Sequence, residues 1–194
     1  MTNSSTQVTA PKKKRERLID AAIRVFYEQG VEKTTIADIA RAADVPVGNV
    51  YYYFKTKDQF VETVIAAHEA ILDATITALE QLPAPAQRLK AMVAGWVDQR
   101  DMAANFGCPF GTLATELNKR NEPFAAEPAR VMQRLIDWAR TQFEALDRDD
   151  ADELAIAFIA AYQGISVLTN TFGNPALMTT EGARLQRWID ELAA

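Results

Sequence analysis

The chain has 194 residues, of which 48% are hydrophobic and 24% are charged, and its net charge is −5. This length supports one large domain or two modest ones, and this composition excludes a largely disordered chain. Residues 1–60 carry ten Lys/Arg and seven Asp/Glu, whereas residues 61–194 carry eleven and nineteen. A basic beginning before an acidic remainder indicates a nucleic-acid-binding part joined to a part with another task.

Residues 1–11 are expected to form a flexible tail. The first ten residues are polar and lack the apolar segment of a signal peptide, so no signal peptide is expected. Cys108 is the single cysteine, which excludes an intrachain disulfide and favours a reducing, cytoplasmic location. Lys12 to Arg15 form a basic cluster that in isolation resembles a nuclear-import signal. We expect it instead to begin a helix or arm that lies against phosphates.

Residues 34–57 predict two short helices joined by a tight turn. Thr35 followed by Asp38 forms an approximate capping box at the start of the first helix. That helix carries an apolar stripe at helical spacing, made of Ile36, Ile39, Ala40 and Ala43. Asp44 then stands where the turn requires a residue tolerant of positive φ, Val45 fills the core beneath it, and Pro46 suits a first helical position.

The second helix is expected over roughly residues 46–54, and its beginning carries small side chains. Val47, Gly48 and Asn49 allow a close approach to base edges in the major groove. Beyond them come residues suited to phosphate contacts, namely Tyr51, Tyr53, Lys55 and Lys57. An ordinary pair of packed helices is the alternative. Burying three neighbouring tyrosines would, however, require three polar partners, so at least one ring is expected to face outward.

Residues 15–57 as a whole resemble the DNA-binding domain of the tetracycline-repressor (TetR) family of bacterial transcription regulators. The likeness extends over a helix ending with Phe26 and Gly30, the start at Thr34 and Thr35, and the aromatic cluster that precedes Lys55. Each of these motifs is weak evidence by itself, but together they are highly specific for this family.

The resemblance implies a role for each matched residue. Three would lie against bases: Val47, Gly48 and Asn49. Four would hold phosphates: Thr35, Tyr51, Tyr53 and Lys57. Tyr52 and Phe54 would pack inward. Two residues depart from the family pattern, since Asp44 replaces the common turn glycine and Pro46 replaces a serine or small residue, which removes one polar contact at the helix start.

The remainder of the chain predicts helices only, because no run shows the alternation of a β-strand. Helices are expected over about 57–82, 86–102, 110–119, 124–146, 151–171 and 180–193, punctuated by proline and glycine. The predicted fold is all-α, with a three-helix DNA-binding domain over residues 12–56 and a larger effector-binding and dimerisation domain over residues 57–194. The uncharged run over residues 154–180 contains too many polar residues for a membrane span.

Enzyme chemistry is not expected. His68 is the only histidine, so a catalytic triad or a multi-histidine metal site would have to be built around this one residue. We interpret His68 as an exposed or half-packed helix residue. The sequence contains no metal-ligand cluster and no glycine-rich phosphate loop, and we predict no catalytic residue, no metal site and no cofactor.

The resembled family dimerises through its helical body, and two segments of this chain have apolar residues at helical spacing. The candidate interface residues are Ala155, Ile159, Gln163, Val167, Leu185, Trp188 and Ile189. Two such helices from each copy would form a four-helix interface in a two-fold dimer. The alternative is that these residues belong to the core of a single copy.

An apolar cavity lined by aromatic residues is the default site for a small effector in such a body. The candidates are Trp96, Phe106, Cys108, Phe110, Leu113, Trp138, Phe158 and Tyr162. Several of them are expected to be plain core. Residues 105–117 also resemble a Gly-Cys-x-x-Gly stretch found near the ligand site of some TetR-family members. Cys108 would then be either a sensing thiol or a small core residue, and Glu116 and Asn118 either anchor a polar effector group or face water.

The sequence therefore predicts a homodimeric, effector-responsive transcription regulator. A repressor that a small molecule releases from a palindromic operator is the expected mode, although an activator is not excluded. The first alternative is a regulator that senses electrophiles or oxidants through Cys108. Remoter alternatives are a DNA-organising protein without an effector and a helical small-molecule carrier or enzyme on the same scaffold.

Overall fold

The computed structural model describes residues 13–119 and 126–194, apart from the side chain of Ala126, so the predicted tail lies outside the described residues. These residues form ten α-helices and no strand, which confirms the all-α prediction. The helices are α1 (Lys14–Gln29), α2 (Ile36–Ala42), α3 (Val47–Val50), α4 (Lys57–Leu79), α5 (Pro85–Asp98), α6 (Arg100–Phe106), α7 (Pro109–Lys119), α8 (Ala126–Glu144), α9 (Ala151–Phe172) and α10 (Pro175–Leu192).

The first hydrophobic core joins α1, α2 and α3 to the beginning of α4. Leu18, Ile39 and Phe60 are fully buried in it. Phe54, just after α3, stacks on Phe60 with ring centroids 4.0 Å apart. Helices α7 and α8 also contribute, with the buried residues Leu113, Leu117 and Val131. The first core is therefore shared with helices from the later part of the chain.

The second core lies between α5, α8, α9 and α10, with the end of α4 at its edge. Its centre is made of aromatic and branched side chains, including Phe143, Phe158 and Ile189. Helix α9 packs against α6, α8 and α10. Among the described residues, α9 is the one helix long and apolar enough to cross a membrane by length and composition.

The larger departures from the predicted helix boundaries after α4 occur at two places. The helix expected over 86–102 is divided at Gln99, whose φ of −94° and ψ of 9° end α5 before α6 begins. The last helix begins at Pro175 and not at 180, because the Asn174 side chain accepts a hydrogen bond from the Ala176 backbone N–H at 3.0 Å. Proline suits the position after this cap, since a first-turn N–H has no helical partner.

The division of the chain at residue 57 stays a prediction. By packing, residues 60–65 of α4 belong to the first core, through Phe60, Val61, Val64 and Ile65. Helix α4 thus begins in one core and ends in the other, which gives the two parts of the molecule a common helix.

Candidate nucleic-acid interface and ligand cavity

The predicted capping box at the start of α2 is confirmed. The backbone N–H of Asp38 donates to the Thr35 hydroxyl oxygen at 3.2 Å, and the backbone N–H of Thr35 donates to Asp38 Oδ2 at 3.0 Å. The Thr35 hydroxyl also donates to the same carboxylate at 2.6 Å, and these bonds lower the pKa of Asp38. Thr35 itself is exposed at the start of α2.

The turn before α3 adopts the conformation expected of it, since Asp44 has a φ of 51° and Val45 is buried beneath the turn. Arg17 of α1 supports this turn, which the sequence did not indicate. Its guanidinium donates to the carbonyl oxygens of Ala43 and Asp44 at 2.6 and 2.7 Å and pairs with the Asp44 carboxylate at 2.8 Å. Pro46 caps α3 from the position before its first residue, so the predicted first helical position is one residue too early.

Helix α3 is a single turn whose first residues are open to the surroundings. Val47 and Gly48 are exposed, and Asn49 is half-buried. Among the residues that the structure describes, a Cβ added at Gly48 would meet no atom within 4 Å, so the space in front of it is open. The geometry suits the approach of base edges, and base contacts by these three residues stay a prediction.

The aromatic residues after α3 divide differently from what the family resemblance implied. Phe54 is buried, as expected, whereas Tyr52 is 80% exposed and the prediction that it packs inward is wrong. The helix ends at Val50, and both Tyr53 and Phe54 donate their backbone N–H to its carbonyl oxygen at 2.8 and 2.9 Å. The chain thus makes one further turn after α3, in which Phe54 enters the core and Tyr52 faces outward. Tyr51 and Tyr53 remain exposed on the same surface as the α3 start.

Lys57 is held by the chain itself. Its ammonium donates to the carbonyl oxygens of Val31 and Thr34 at 3.0 and 3.2 Å and to that of Glu32 at 3.4 Å. These acceptors belong to the loop between α1 and α2. An ammonium has three donors, so a phosphate contact by Lys57, which stays a prediction, would replace one of these bonds. Lys55 likewise donates to the carbonyl oxygen of Tyr51.

A cavity of about 220 Å³ lies between α4, α5, α7, α8 and α9. Four of the predicted pocket residues line it: Trp96, Cys108, Phe110 and Tyr162. The Trp96 and Tyr162 rings stack with centroids 4.3 Å apart, and Phe110 meets His68 edge to face at 5.8 Å. Burial lowers the pKa of His68, so its ring is neutral at neutral pH.

The other four predicted pocket residues do not line this cavity. Phe106 packs on Tyr27 with ring centroids 5.4 Å apart, and Leu113 belongs to the first core. Trp138 and Phe158 are buried in the second core. Helical spacing identifies inward-facing residues but does not tell which of them border a void. The lining residues that sequence reasoning missed include His68, Leu72, Thr75, Met132 and Leu135.

Gln163 was assigned to a dimer interface, but its side chain borders the cavity. Its Nε2 lies 3.6 Å from Cys108 Sγ and 3.9 Å from Met132 Sδ. A Cβ at Gly111 would come within 2.5 Å of its Oε1, so the glycine makes room for this amide. Both Gln163 and Cys108 also border a second, more polar cleft of about 550 Å³ beside the α1–α2 loop.

The candidate interface residues of α9 and α10 are mostly core. Four of them are buried within a single copy and are out of a partner's reach: Ala155, Ile159, Leu185 and Ile189. Trp188 is half-buried against Phe143. Val167 is 63% exposed and lies on the opposite side of α9. A four-residue spacing advances by about 40° per step around an α-helix, so the predicted stripe began in the core and ended on the surface.

Helix α7 connects the cavity to the first core through Glu116. Its carboxylate accepts the backbone N–H of Val31 at 2.9 Å and that of Glu32 at 2.5 Å, with one bond to each oxygen. The Tyr27 hydroxyl adds a bond of 2.7 Å to the carbonyl oxygen of Gly107, just before α7. Glu116 does not line the apolar cavity, but it borders the more polar cleft, where its carboxylate already accepts the two backbone bonds from the loop.

Two regions of the chain match models of known protein families. Residues 18–64 match the family model for bacterial regulatory proteins of the tetR family, and residues 85–183 match the model for the C-terminal domain of LmrA/YxaF-like transcriptional regulators. The chain belongs to the TetR family. This TetR-family chain is a ligand-responsive, DNA-binding transcriptional regulator, and the relatives it matches are regulators and not enzymes.

Individual relatives cover between 77% and 93% of the TetR-family chain. The transcriptional regulator BetI of Escherichia coli K12 is 27% identical over 183 residues, covering 92% of this chain and 93% of BetI. The transcriptional repressor DhaR of Mycobacterium sp. strain GP1 is 29% identical over 161 residues, covering 77% and 79%. A TetR-family regulator from Streptomyces coelicolor has the same fold, with a TM-score of 0.80 at 20% identity, covering 93% of this chain and 96% of its own.

Proposed function

We propose that this TetR-family regulator is a cytoplasmic homodimeric repressor that a small molecule, bound in the apolar cavity, releases from a palindromic operator. In this proposal residues 12–56 bind DNA and residues 57–194 bind the effector and the second copy. The domain boundaries, the operator and the partner surfaces are all part of the proposal.

One observation carries the effector response. Cys108, Pro109 and Phe110 border the cavity at the beginning of α7, and Glu116 on the same helix accepts both hydrogen bonds from the loop between α1 and α2. A ligand that displaces the beginning of α7 would shift the carboxylate that holds this loop. Lys57, which begins α4, is bonded to the same loop. Such coupling between two sites is typically about 1–3 kcal/mol, or 5–150-fold in affinity, and it acts equally in both directions.

The DNA-binding surface is proposed to consist of the exposed start of α3 and its surroundings. Val47, Gly48 and Asn49 would lie against bases, and the exposed residues Tyr51 and Tyr53 would donate their hydroxyls to phosphates. Thr35 and Lys57 would contribute phosphate contacts at the α2 and α4 starts. The basic excess of this part of the chain is small, so affinity for unrelated DNA is expected to be modest and salt-dependent.

The exposed face of α9 is the proposed contact between two copies. It carries large apolar side chains that face away from the core: Ile156, Val167, Leu168 and Phe172. Ala160 and Gly164, also exposed, lie between them and let another helix approach closely. A dimer would present two DNA-binding surfaces, which a palindromic site with half-sites about 34–36 Å apart would accommodate.

Val167→Arg tests the proposed contact. Two buried arginines facing each other across a two-fold axis would be unpaired, so the variant should sediment as a monomer at concentrations where the wild type is a dimer. Ala94→Arg on the exposed side of α5 provides the matched control and should stay dimeric. If Val167→Arg remains a dimer, the exposed face of α9 is not the contact between the two copies.

Operator binding is tested by fluorescence anisotropy with the DNA upstream of the protein's own gene. The titration is run at two salt concentrations and against a scrambled competitor, with a selection from random DNA if the upstream segment fails. Binding that prefers one sequence and saturates at one or two dimers per site supports the proposal. Absence of any preferred sequence in the selection would refute it.

A second candidate is sensing of electrophiles through Cys108. Cys108 borders both clefts, and its Sγ accepts the backbone N–H of Gly111 at 3.2 Å in the first turn of α7, so an electrophile bound in either cleft would lie beside the thiol. Treatment of the DNA complex with N-ethylmaleimide should then release the wild type and leave Cys108→Ser bound. Equal release of both proteins, or of neither, would exclude this role. A carrier or an enzyme on the same scaffold would bind or convert ligand with no effect on DNA affinity.

A further inference from the structure

We propose that the effector is an uncharged molecule of one or two rings that presents an acceptor oxygen to the side-chain amide of Gln163. This inference rests on the proposed function, because it assigns a chemical class to the ligand of the same cavity. Three properties of the cavity carry it: its charge, its volume and one amide that lacks a good acceptor.

The cavity wall offers no counter-charge for an ion. None of the eighteen described residues that line it is Asp, Glu, Lys or Arg. His68 also lines the cavity, but burial lowers the pKa of its imidazole, so the ring is neutral and supplies no charge. A charged ligand would lose its hydration without gaining a partner, and that loss is large in an apolar site.

Aromatic faces could in principle attract a cation in place of a carboxylate. Here Trp96 and Tyr162 lie at an interplanar angle of 18°, so each ring covers one face of the other. Phe110 already has the imidazole of His68 against it. An aromatic cage open to a cation is therefore not formed, and the rings offer flat apolar surface to a neutral ligand.

The volume limits the ligand to a small one. The cavity measures about 220 Å³. A cavity of about 150 Å³ accommodates benzene, and sites for drug-sized ligands begin at about 300 Å³. One substituted ring or two fused rings would fill this space.

Gln163 supplies the polar contact. Among the described residues, the only acceptors near its Nε2 are the sulfurs of Cys108 and Met132, at 3.6 and 3.9 Å. Sulfur is a weak acceptor, so an amide N–H beside it gains from a ligand carbonyl or hydroxyl oxygen. The amide belongs to α9, while Cys108 precedes α7, so a ligand bonded here would lie against the helix that carries Glu116.

Three planar probes of nearly the same shape test the charge: benzamide is neutral, benzamidine is a cation and benzoate is an anion. Their dissociation constants for the full-length protein are measured through intrinsic tryptophan fluorescence, to which Trp96 in the cavity wall contributes, and by calorimetry. We expect benzamide to bind at least about tenfold tighter than either ion, equivalent to 1.4 kcal/mol. The inference is overturned if an ion binds as tightly as benzamide or if benzamide does not bind.

Two pairs of variants assign the binding to this cavity. Gln163→Glu should reverse the order and favour benzamidine, whereas Gln87→Glu, on the exposed side of α5, should keep the wild-type order. Gly95 lines the cavity with open space beside it, so Gly95→Leu should abolish benzamide binding and Ala94→Leu should not. Unchanged benzamide affinity in Gly95→Leu would contradict the inference.

Operator titrations on the same preparations separate this inference from the proposed function. Suppose that the wild type and Gly95→Leu both bind a preferred DNA sequence, but benzamide does not bind more tightly than the two ions. The proposed ligand class is then wrong, while the proposed DNA-binding function stands. If neither protein prefers any DNA sequence, the proposed function fails whatever the probes do.

Discussion

The DNA-binding part and the cavity differ in how their residues are brought together. Around α3, the surface is built from residues 35–53, which are neighbours in the chain and whose positions follow from caps and turns. The cavity takes its wall from five helices, and its key residues, such as His68 and Gln163, lie about a hundred residues apart. A local surface can be predicted from a short sequence, whereas a void exists only between elements that have already packed.

The two cores nevertheless share helices, and the largest expected effects test whether they unfold together. Phe60 and Phe158 are fully buried, one in each core, and replacing either with Ala should lower the free energy of unfolding by about 3–5 kcal/mol. Because α4 and α8 contribute to both cores, we expect one cooperative transition in urea.

Tryptophan fluorescence reports on the unfolding of the second core, because Trp96, Trp138 and Trp188 all lie in or against it. Phe60→Ala should shift the fluorescence transition and the circular-dichroism transition equally. Tyr52→Ala, at a mostly exposed residue, should change stability by less than about 0.5 kcal/mol. A fluorescence transition that Phe60→Ala leaves in place would mean that the two cores unfold independently.

The link between the two parts is tested by Glu116→Ala. Hydrogen bonds to a charged acceptor contribute about 1.5–3 kcal/mol each, and the half-exposed position of Glu116 favours the lower end. In Glu116→Ala, hydrogen exchange of the Val31 and Glu32 amides should accelerate. The effector should also lower the DNA affinity of this variant less than it lowers that of the wild type. Asn118→Ala, exposed on the same helix, is the control. Unchanged protection of the two amides would show that the carboxylate does not hold the loop in solution.

At the DNA surface, Asn49→Ala and Tyr51→Phe should have different signatures. Loss of a base contact by Asn49 should relax the preference at one base pair by about 1–3 kcal/mol. Loss of the Tyr51 hydroxyl should weaken binding to all sequences by about 0.5–1.5 kcal/mol. Both are measured by competition between the selected operator and its single-base variants. Equal losses for Asn49→Ala on operator and random DNA would exclude its base-reading role.

The smallest effects come from two aspartates with positive φ, one in each part of the molecule. Asp147 follows α8 with a φ of 57°, and Asp147→Gly should raise stability by up to about 1 kcal/mol, because glycine adopts this conformation without strain. Asp44→Gly relieves the same strain but loses the exposed pair with Arg17, which contributes about 0–1 kcal/mol, so its gain should be smaller. Calorimetry of both variants measures the difference, and a larger gain at Asp44 would contradict it.

By itself, the sequence determined the features that depend on a few consecutive residues. The Thr35–Asp38 cap and the positive φ of Asp44 follow from local hydrogen bonds and sterics, and they are confirmed. The burial of Phe54, which the family resemblance implied, is confirmed as well. The order of helices follows from apolar spacing and from proline and glycine positions. Tyr52 shows the limit of the family resemblance, which implied that this ring packs inward, whereas it is mostly exposed.

Tertiary structure alone decided which apolar residues meet one another. Helix α9 is uncharged from Leu154 onward, so its sequence does not show which side is core, and Ala155 is buried while Ile156 is exposed. The bonds from Glu116 to the α1–α2 loop join residues more than eighty positions apart. Periodicity gives the direction of a side chain around its own helix, but the partner on the other side depends on how the helices pack, and packing is a property of the whole chain.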